Sequence, residues 1–404
     1  MSSIKIGILR EGKIPVDRRV PLSPDQCLEV LKKYPQVELF IQPSDVRCIS
    51  NREYEEKGLK LQEDLSACDI LLGIKEVPIH QLIANKTYLF FSHTIKQQSY
   101  NQRLFQEIAN KKITLIDYEA LKDKDGNRVI AFGRFAGIVG AYNTFKLLGK
   151  KYKLYDLKSA YECFDMADLK EQLQTIQAPP LKYVVTGAGR VGKGVLEILE
   201  GMGMRSVNPE EFLALGEINE PIYTNLSSRH YHERKDGQVY EAHDFYTHPE
   251  HYTSTFNRFA SVADVLIAAA YWNPAAPALF SKEEMQAPDF NIRLISDITC
   301  DIGGSIPCTV KATNIYDPAY DYNPFTSALE APFSDAKNIT VMAIDNLPCE
   351  LPRDASQDFG YQLIGNVLPD LLKNPYGDLI NRCQVLEKGE LVPNSMYLKA
   401  YLLG

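Results

Sequence analysis

The stretch LKYVVTGAGRVGKGVLEILEGMG, residues 181–203, constrains this chain more than any other. An apolar run, Tyr183 to Thr186, passes directly into Gly187, Ala188, Gly189, Arg190, Val191 and Gly192, and a helical pattern follows at once. In such a turn Gly187 permits the tight bend, Gly189 lets the backbone approach a pyrophosphate, and Gly192 lets helix and strand pack closely. The helix start adds free N–H groups and a partial positive charge. Strand, turn and helix in this order predict an α/β domain with a dinucleotide cradle at these six residues. A purely structural glycine turn is the alternative reading.

The rest of the chain fits that prediction. Candidate strands Ile4 to Leu9, Val37 to Gln42, Ile70 to Lys75, Tyr88 to His93 and Ile113 to Tyr118 are short and apolar on both faces, as buried parallel strands are. Pro24 to Tyr34 and Tyr100 to Lys111 have helical spacing, so βαβ units follow. From Ala131 the segment AFGRFAGIVGAYNTFKLLG reads as one long helix that could join two domains. A second series then begins, with candidate strands Tyr183 to Thr186, Val265 to Ala270, Leu294 to Ile298, Thr309 to Ile315 and Ile339 to Ile344. Residues 218–260 read as a polar insertion rich in His and Tyr, of the kind that sits at a functional rim. The helical tail from Asp354 to Lys373 is expected to return to the first domain. The fold class is therefore α/β, with two doubly wound parallel-sheet domains and a cleft between them. The expected boundaries are 1–135 with 346–404 for a discontinuous substrate and catalytic domain, and 136–345 for the dinucleotide domain.

At 404 residues the chain accommodates two domains, and 45% hydrophobic with 24% charged residues is ordinary globular usage. A formal charge of −8 without a basic run argues against a nucleic-acid partner. No stretch approaches the roughly 18 apolar residues of a membrane helix, and the N-terminus does not read as a signal peptide, so a cytoplasmic location is expected. The eight cysteines show no metal-ligand spacing and read as reduced, buried thiols. The histidines His230, His232, His243, His248 and His251 invite a metal reading, but none is expected, since no cysteine accompanies them.

Three stretches place polar groups at carboxyl ends of candidate strands, where α/β sheets bind ligands. They are LLGIKEVP with Lys75 and Glu76, LFFSHT with His93, and LIDYEAL with Asp117 and Glu119. Alone, each residue reads equally as a solvated strand end. About 20 positions past the glycine turn, where an acidic residue would hold the ribose hydroxyl of NAD, stands Asn208. It would not repel a 2′-phosphate, although Glu210 follows closely. NAD and NADP both stay open, with the balance toward NADP and Arg190 or Arg205 to meet the phosphate. Trp272 reads as core.

Together ILREGKIPVDRRVPLSP, LLGIKEVP, the glycine turn and DITCDIGGSIP resemble the alanine dehydrogenase and transhydrogenase α-subunit superfamily. Within it, YLFFSHTIKQQ, LIDYEALKDKDGNRVIAFGRFAG, LSSRHYHERK, HPEHYTSTFNRF and AIDNLPCELPRDAS are similar to the saccharopine dehydrogenase branch, notably its lysine-ketoglutarate reductase domains. The resemblance implies condensation of lysine with 2-oxoglutarate and reduction of the imine by a nicotinamide cofactor, or the reverse. It implies that Lys75 and His93 are the acid–base pair, and that Arg19, with Lys13 near it, binds a substrate carboxylate. It further implies that Glu76 and Glu119 tune Lys75 and receive an amine. Asp301 would face the nicotinamide, and Asp345 would bring the chain back to the cofactor. Partners would be small amino-acid and keto-acid substrates, with a homo-oligomer admitted. The competing expectations are an amino-acid dehydrogenase such as alanine dehydrogenase, and a non-catalytic nucleotide-binding relative such as a transhydrogenase α-subunit. No fused second catalytic domain is read from the sequence.

Overall fold

The computed structural model describes residues 3–404. It divides into two compact units, Met1–Phe132 with Pro352–Gly404, and Gly133–Leu351. Each is built on an eight-stranded, mostly parallel sheet with helices, so the chain is α/β.

In the first unit the strand order is Glu390–Leu391, Leu386–Glu387, Thr114–Asp117, Thr87–Phe90, Ile70–Leu72, Ile4–Ile8, Val37–Ile41, Lys60–Leu61. The six strands from the N-terminal part are parallel, and the two from the tail close one edge antiparallel. Four of them, ending at Ile8, Leu72, Phe90 and Asp117, are adjacent, which gathers the loops after them at one rim. The helix Pro24–Lys33 starts where it does because Ser23 and Gln26 form a reciprocal cap and Pro24 occupies the first turn. The tail packs back through its last helix, Lys399–Leu403, where Tyr401 stacks on Phe105 at 5.8 Å between ring centres.

In the second unit the order is Leu329–Glu330, Tyr320–Tyr322, Ile339–Met342, Leu294–Asp297, Val265–Ala268, Lys182–Thr186, Ile222–Leu226, Arg205–Ser206. Strand Lys182–Thr186 lies inside the sheet, between Val265–Ala268 and Ile222–Leu226. Two long helices, Gly133–Tyr152 and Arg190–Gly201, cross with backbones in contact: a Cβ on Gly137 would lie 2.0 Å from the Val191 carbonyl oxygen, and one on Gly194 2.0 Å from that of Arg134.

Three expectations are corrected here. Thr309 to Ile315 is not a strand. Asn314 turns the chain by accepting from the N–H groups of Tyr316 and Asp317, and the segment joins the sheet only by a bridge from Thr313 to Ile344. The added strands are Tyr320–Tyr322, antiparallel to Ile339–Met342, and Leu329–Glu330 beyond it. The stretch 218–260 is not wholly insertion, because Ile222–Leu226 is an inner strand of the sheet, one in from the edge; the added module is the hairpin of His232–Arg234 with Tyr252–Ser254 and the helix Ala242–Thr247 between them. The cysteines are free, but only five of the eight are buried, with Cys48, Cys300 and Cys349 half-buried. No helix among the described residues is long and apolar enough to cross a membrane.

Candidate functional site

Each unit carries one cluster. In the first, all the polar groups come from loops that follow carboxyl ends of parallel strands. Glu76, from the loop after Ile70–Leu72, is the hub: Lys13 Nζ donates to both its oxygens at 2.9 and 2.7 Å, and His93 Nδ1 lies 2.7 Å from Oε1. Burial opposes ionisation of Glu76, yet the hydrogen bonds from His93 and Lys13 outweigh it and pull the carboxyl down to about 2. An ionised Glu76 can only accept, so Nδ1 carries the proton and Nε2 is the nitrogen of His93 left to work. His93 itself has φ +54°, an uncommon conformation for a residue with a side chain, and its ring lies nearly parallel to that of Phe91.

Lys75 is placed by a residue the sequence reading overlooked. Glu11, after the first strand, accepts from the backbone N–H groups of Ile74 at 2.7 Å and Lys75 at 2.8 Å. Burial, with the Asp17 carboxylate nearby, pushes the Glu11 carboxyl up to about 8. Glu119 is buried and pairs with Arg128 and, at 3.2 Å, with Lys96; burial works to raise its pKa, but the two cations win and lower it. Arg19 departs from expectation. It is only 2% exposed, donates to Asp17 at 3.0 and 2.6 Å, and lies 4.1 Å over the Phe132 ring, so a substrate carboxylate would have to compete with a buried internal partner.

In the second unit the glycine turn has the predicted form. Gly187 has φ +97°, and a Cβ there would strike the Ala269 and Ala270 backbone; one on Gly192 would lie 2.1 Å from the Gly187 carbonyl oxygen. At Gly189 a Cβ would meet nothing within 4 Å. Packing within the protein therefore does not demand glycine there, whereas close approach of a phosphate does. The turn opens on a cavity of about 470 Å³ lined by residues 187–191, by Ser227, Ser228, Tyr231 and His232, and by Phe245, Tyr271 and Trp272 among others. His232 Nδ1 lies 3.1 Å from the Ser228 carbonyl oxygen, its Nε2 is buried without a hydrogen-bond partner, and burial pushes its pKa down to about 4. An orphaned acceptor, a glycine facing open space and a largely apolar lining suit a nucleotide. Trp272, expected in the core, is half-buried on the cavity wall, with Nε1 donating to the Ala276 carbonyl at 3.2 Å.

Asn208 is corrected. It follows the edge strand Arg205–Ser206 and caps the helix Pro209–Ala214, accepting from the Glu211 N–H at 2.8 Å. The strand beside the glycine turn is Ile222–Leu226, and Ser227 and Ser228 directly after it line the cavity, followed by Arg229. A spacing count along the sequence misses this because Arg205–Ser206 intervenes as an outer strand. Arg205, on the edge strand, is paired with Glu211 and Glu220. Asp301 and Asp345 are exposed beyond the carboxyl ends of Leu294–Asp297 and Ile339–Met342, outside the cavity lining. Gly304 N–H donates to the Asp301 carbonyl at 2.8 Å, so that DIGG segment is at least a turn.

Residues 7–139 match the family described as "Alanine dehydrogenase/PNT, N-terminal domain". Over 408 residues the chain is 31% identical to the mouse alpha-aminoadipic semialdehyde synthase, with 91% of this chain but 44% of the mouse protein covered. The chain thus spans less than half the length of that relative. It is 24% identical to the saccharopine dehydrogenase [NAD(+), L-lysine-forming] of Neurospora crassa, covering 89% of this chain and 90% of that protein. The fold is that of a solved L-alanine dehydrogenase, with a TM-score of 0.67 at 16% identity over 99% of this chain and 100% of that one. A transhydrogenase from Sinorhizobium meliloti has the same architecture, with a TM-score of 0.58 at 14% identity, covering 96% of this chain and 98% of that one. The relatives thus include a protein named a synthase and one named a dehydrogenase.

Proposed function

We propose that this chain is an NAD(P)-dependent dehydrogenase acting on the CH–NH bond of saccharopine, joining lysine to 2-oxoglutarate by reductive condensation or running the reverse. The observation that carries this reading is the Lys13–Glu76–His93 cluster beside Lys75, in a chain whose relatives include enzymes named for saccharopine and aminoadipic semialdehyde. The dinucleotide is assigned to Gly187, Ala188, Gly189, Arg190, Val191 and Gly192, and would supply hydride to the imine carbon.

The chain's own groups handle the protons. Lysine's ε-ammonium must lose a proton before its nitrogen attacks the keto carbon, and the resulting carbinolamine must lose water to become an imine. Lys75 and His93 divide those transfers, His93 through Nε2 because Glu76 holds Nδ1. Lys13 neutralises Glu76 and leaves an ammonium close to where a carboxylate can dock. Glu119 receives the amine of the lysine part. Asp301 and Asp345 are assigned to the nicotinamide end. Ser227, Ser228 and Arg229 offer hydroxyls and a cation, with no carboxylate, where the ribose is read, which favours the 2′-phosphate of NADP.

Following nicotinamide absorbance with both cofactors tests the reading, against lysine plus 2-oxoglutarate, saccharopine, and alanine or pyruvate with ammonia. The lysine pair with NADPH should give the highest kcat/KM, and Lys75→Met should lower kcat by about 10²–10⁴-fold. A higher kcat/KM for alanine or pyruvate would overturn the substrate, and one for NADH above NADPH would overturn the cofactor preference.

A further inference from the structure

Between the helix Ala242–Thr247 and the strand Tyr252–Ser254 the chain makes a tight turn that carries His248, Glu250 and His251. One ligand atom from each lies within 4.8 Å of the others. His248 Nδ1 is 3.4 Å, and His251 Nε2 4.0 Å, from the same oxygen, Glu250 Oε1. Ligands at about 2.0–2.1 Å from a tetrahedral zinc ion stand roughly 3.3–3.4 Å apart. Of the three edges that the ligand atoms define, one is therefore already at this length, the second is about 0.6 Å longer, and the third, between the two imidazoles, lies within 4.8 Å. The two imidazole rings are nearly parallel, 5.2 Å between centres.

The other nitrogen of His251 supplies a second, independent observation. Its Nδ1 faces Asp244 Oδ1 at 3.7 Å. Asp244 is in turn fixed by Arg234 and by the Tyr252 hydroxyl at 2.9 Å. A carboxylate behind an imidazole, brought into hydrogen-bond reach by a small side-chain rotation, orients the ring toward a metal on its far side. Two imidazoles and one carboxylate suit zinc rather than magnesium or calcium, which take oxygen ligands. The side chains are about half exposed, 57% for His248 and Glu250 and 47% for His251, which leaves room for water to complete the coordination.

We propose that His248, Glu250 and His251 form a zinc-binding site on the inserted module, with Asp244 as the residue that orients His251. The site follows directly on the helix that carries Phe245 and Tyr246, two walls of the 470 Å³ cavity, so a bound ion would restrain that wall. It stands whether or not the cavity takes a dinucleotide.

Calorimetric titration of the full chain, made without a histidine tag, with zinc chloride at fixed pH tests the site, with Co²⁺ as a visible-absorption probe of tetrahedral geometry. One ion per chain is expected. His248→Ala and His251→Ala should each weaken binding by about tenfold or more, and His243→Ala, an exposed histidine of the same module outside the cluster, should leave it unchanged. All three are surface substitutions, and circular dichroism checks that the variants stay folded. Absence of saturable binding, binding that survives the His248→Ala/His251→Ala pair, or equal loss in His243→Ala would overturn the proposal.

Discussion

At the residue scale, the buried carboxyls show how far environment redirects ordinary side chains. Glu76 is held ionised by two donors, whereas Glu350, more deeply buried, has one hydrogen bond from Asn143 at 2.9 Å and is pushed up to about 8 by desolvation. The sign of its effect on stability follows. Between pH 4.5 and about 8 an unfolded Glu350 ionises while the folded one keeps its proton, so stability falls as pH rises through that window. Glu350→Gln keeps an acceptor for Asn143 and removes the titration. In chemical denaturation the variant should match the wild type near pH 4.5 and exceed it by a few kcal/mol at pH 8; equal pH slopes would show that Glu350 ionises inside the fold. Lys75, Glu76 and His93 were legible in the sequence because each follows an apolar run at a strand end. Glu11 was not, since its carboxylate matters for turning inward onto backbone N–H groups 63 and 64 residues away. No local pattern encodes that reach. The burial of Arg19 against Asp17 was hidden for a different reason: two residues of separation do not reveal which side of a loop faces the core.

At the element scale, the strands with long apolar runs were readable to within three residues, Ile70–Leu72 and Thr87–Phe90 each ending three residues before the expected Lys75 and His93, while those carrying polar residues were not. Ile222–Leu226 contains Thr224 and Asn225 and was absorbed into its polar surroundings. Tyr320–Tyr322 is centred on Asp321, a buried carboxylate that accepts from Thr340 Oγ1 at 2.7 Å, a pairing invisible until both strands are placed. With Ile222–Leu226 unread, the spacing count ended on Asn208, which caps the helix Pro209–Ala214 instead of following the strand beside the glycine turn. The small residues of the long helix had a clearer consequence. Gly137 and Gly194 let Gly133–Tyr152 and Arg190–Gly201 touch backbone to backbone, and the contact reaches Val191 in the phosphate turn. Gly137→Val must push the helices apart, and should lower thermal stability by about 1–3 kcal/mol or more. A melting temperature equal to that of the wild type would mean that the crossing is looser than drawn here.

At the scale of the whole molecule, the polypeptide builds one unit from both its ends and the other from its middle. Each unit thus carries its own sheet and its own cluster of candidate site residues. The central claim is that the glycine turn holds a dinucleotide, and Gly189 offers a clean probe of it. Its backbone has φ −79°, which any residue adopts, and a side chain there meets no protein atom within 4 Å, so Gly189→Glu should fold normally while placing bulk and negative charge where phosphate belongs. The decisive measurement is calorimetric titration of NADPH into the wild type and into Gly189→Glu, each verified as folded by circular dichroism. Saturable one-to-one binding by the wild type and its loss in the variant is the predicted result; no binding by the wild type, or equal affinity in both, would contradict the account.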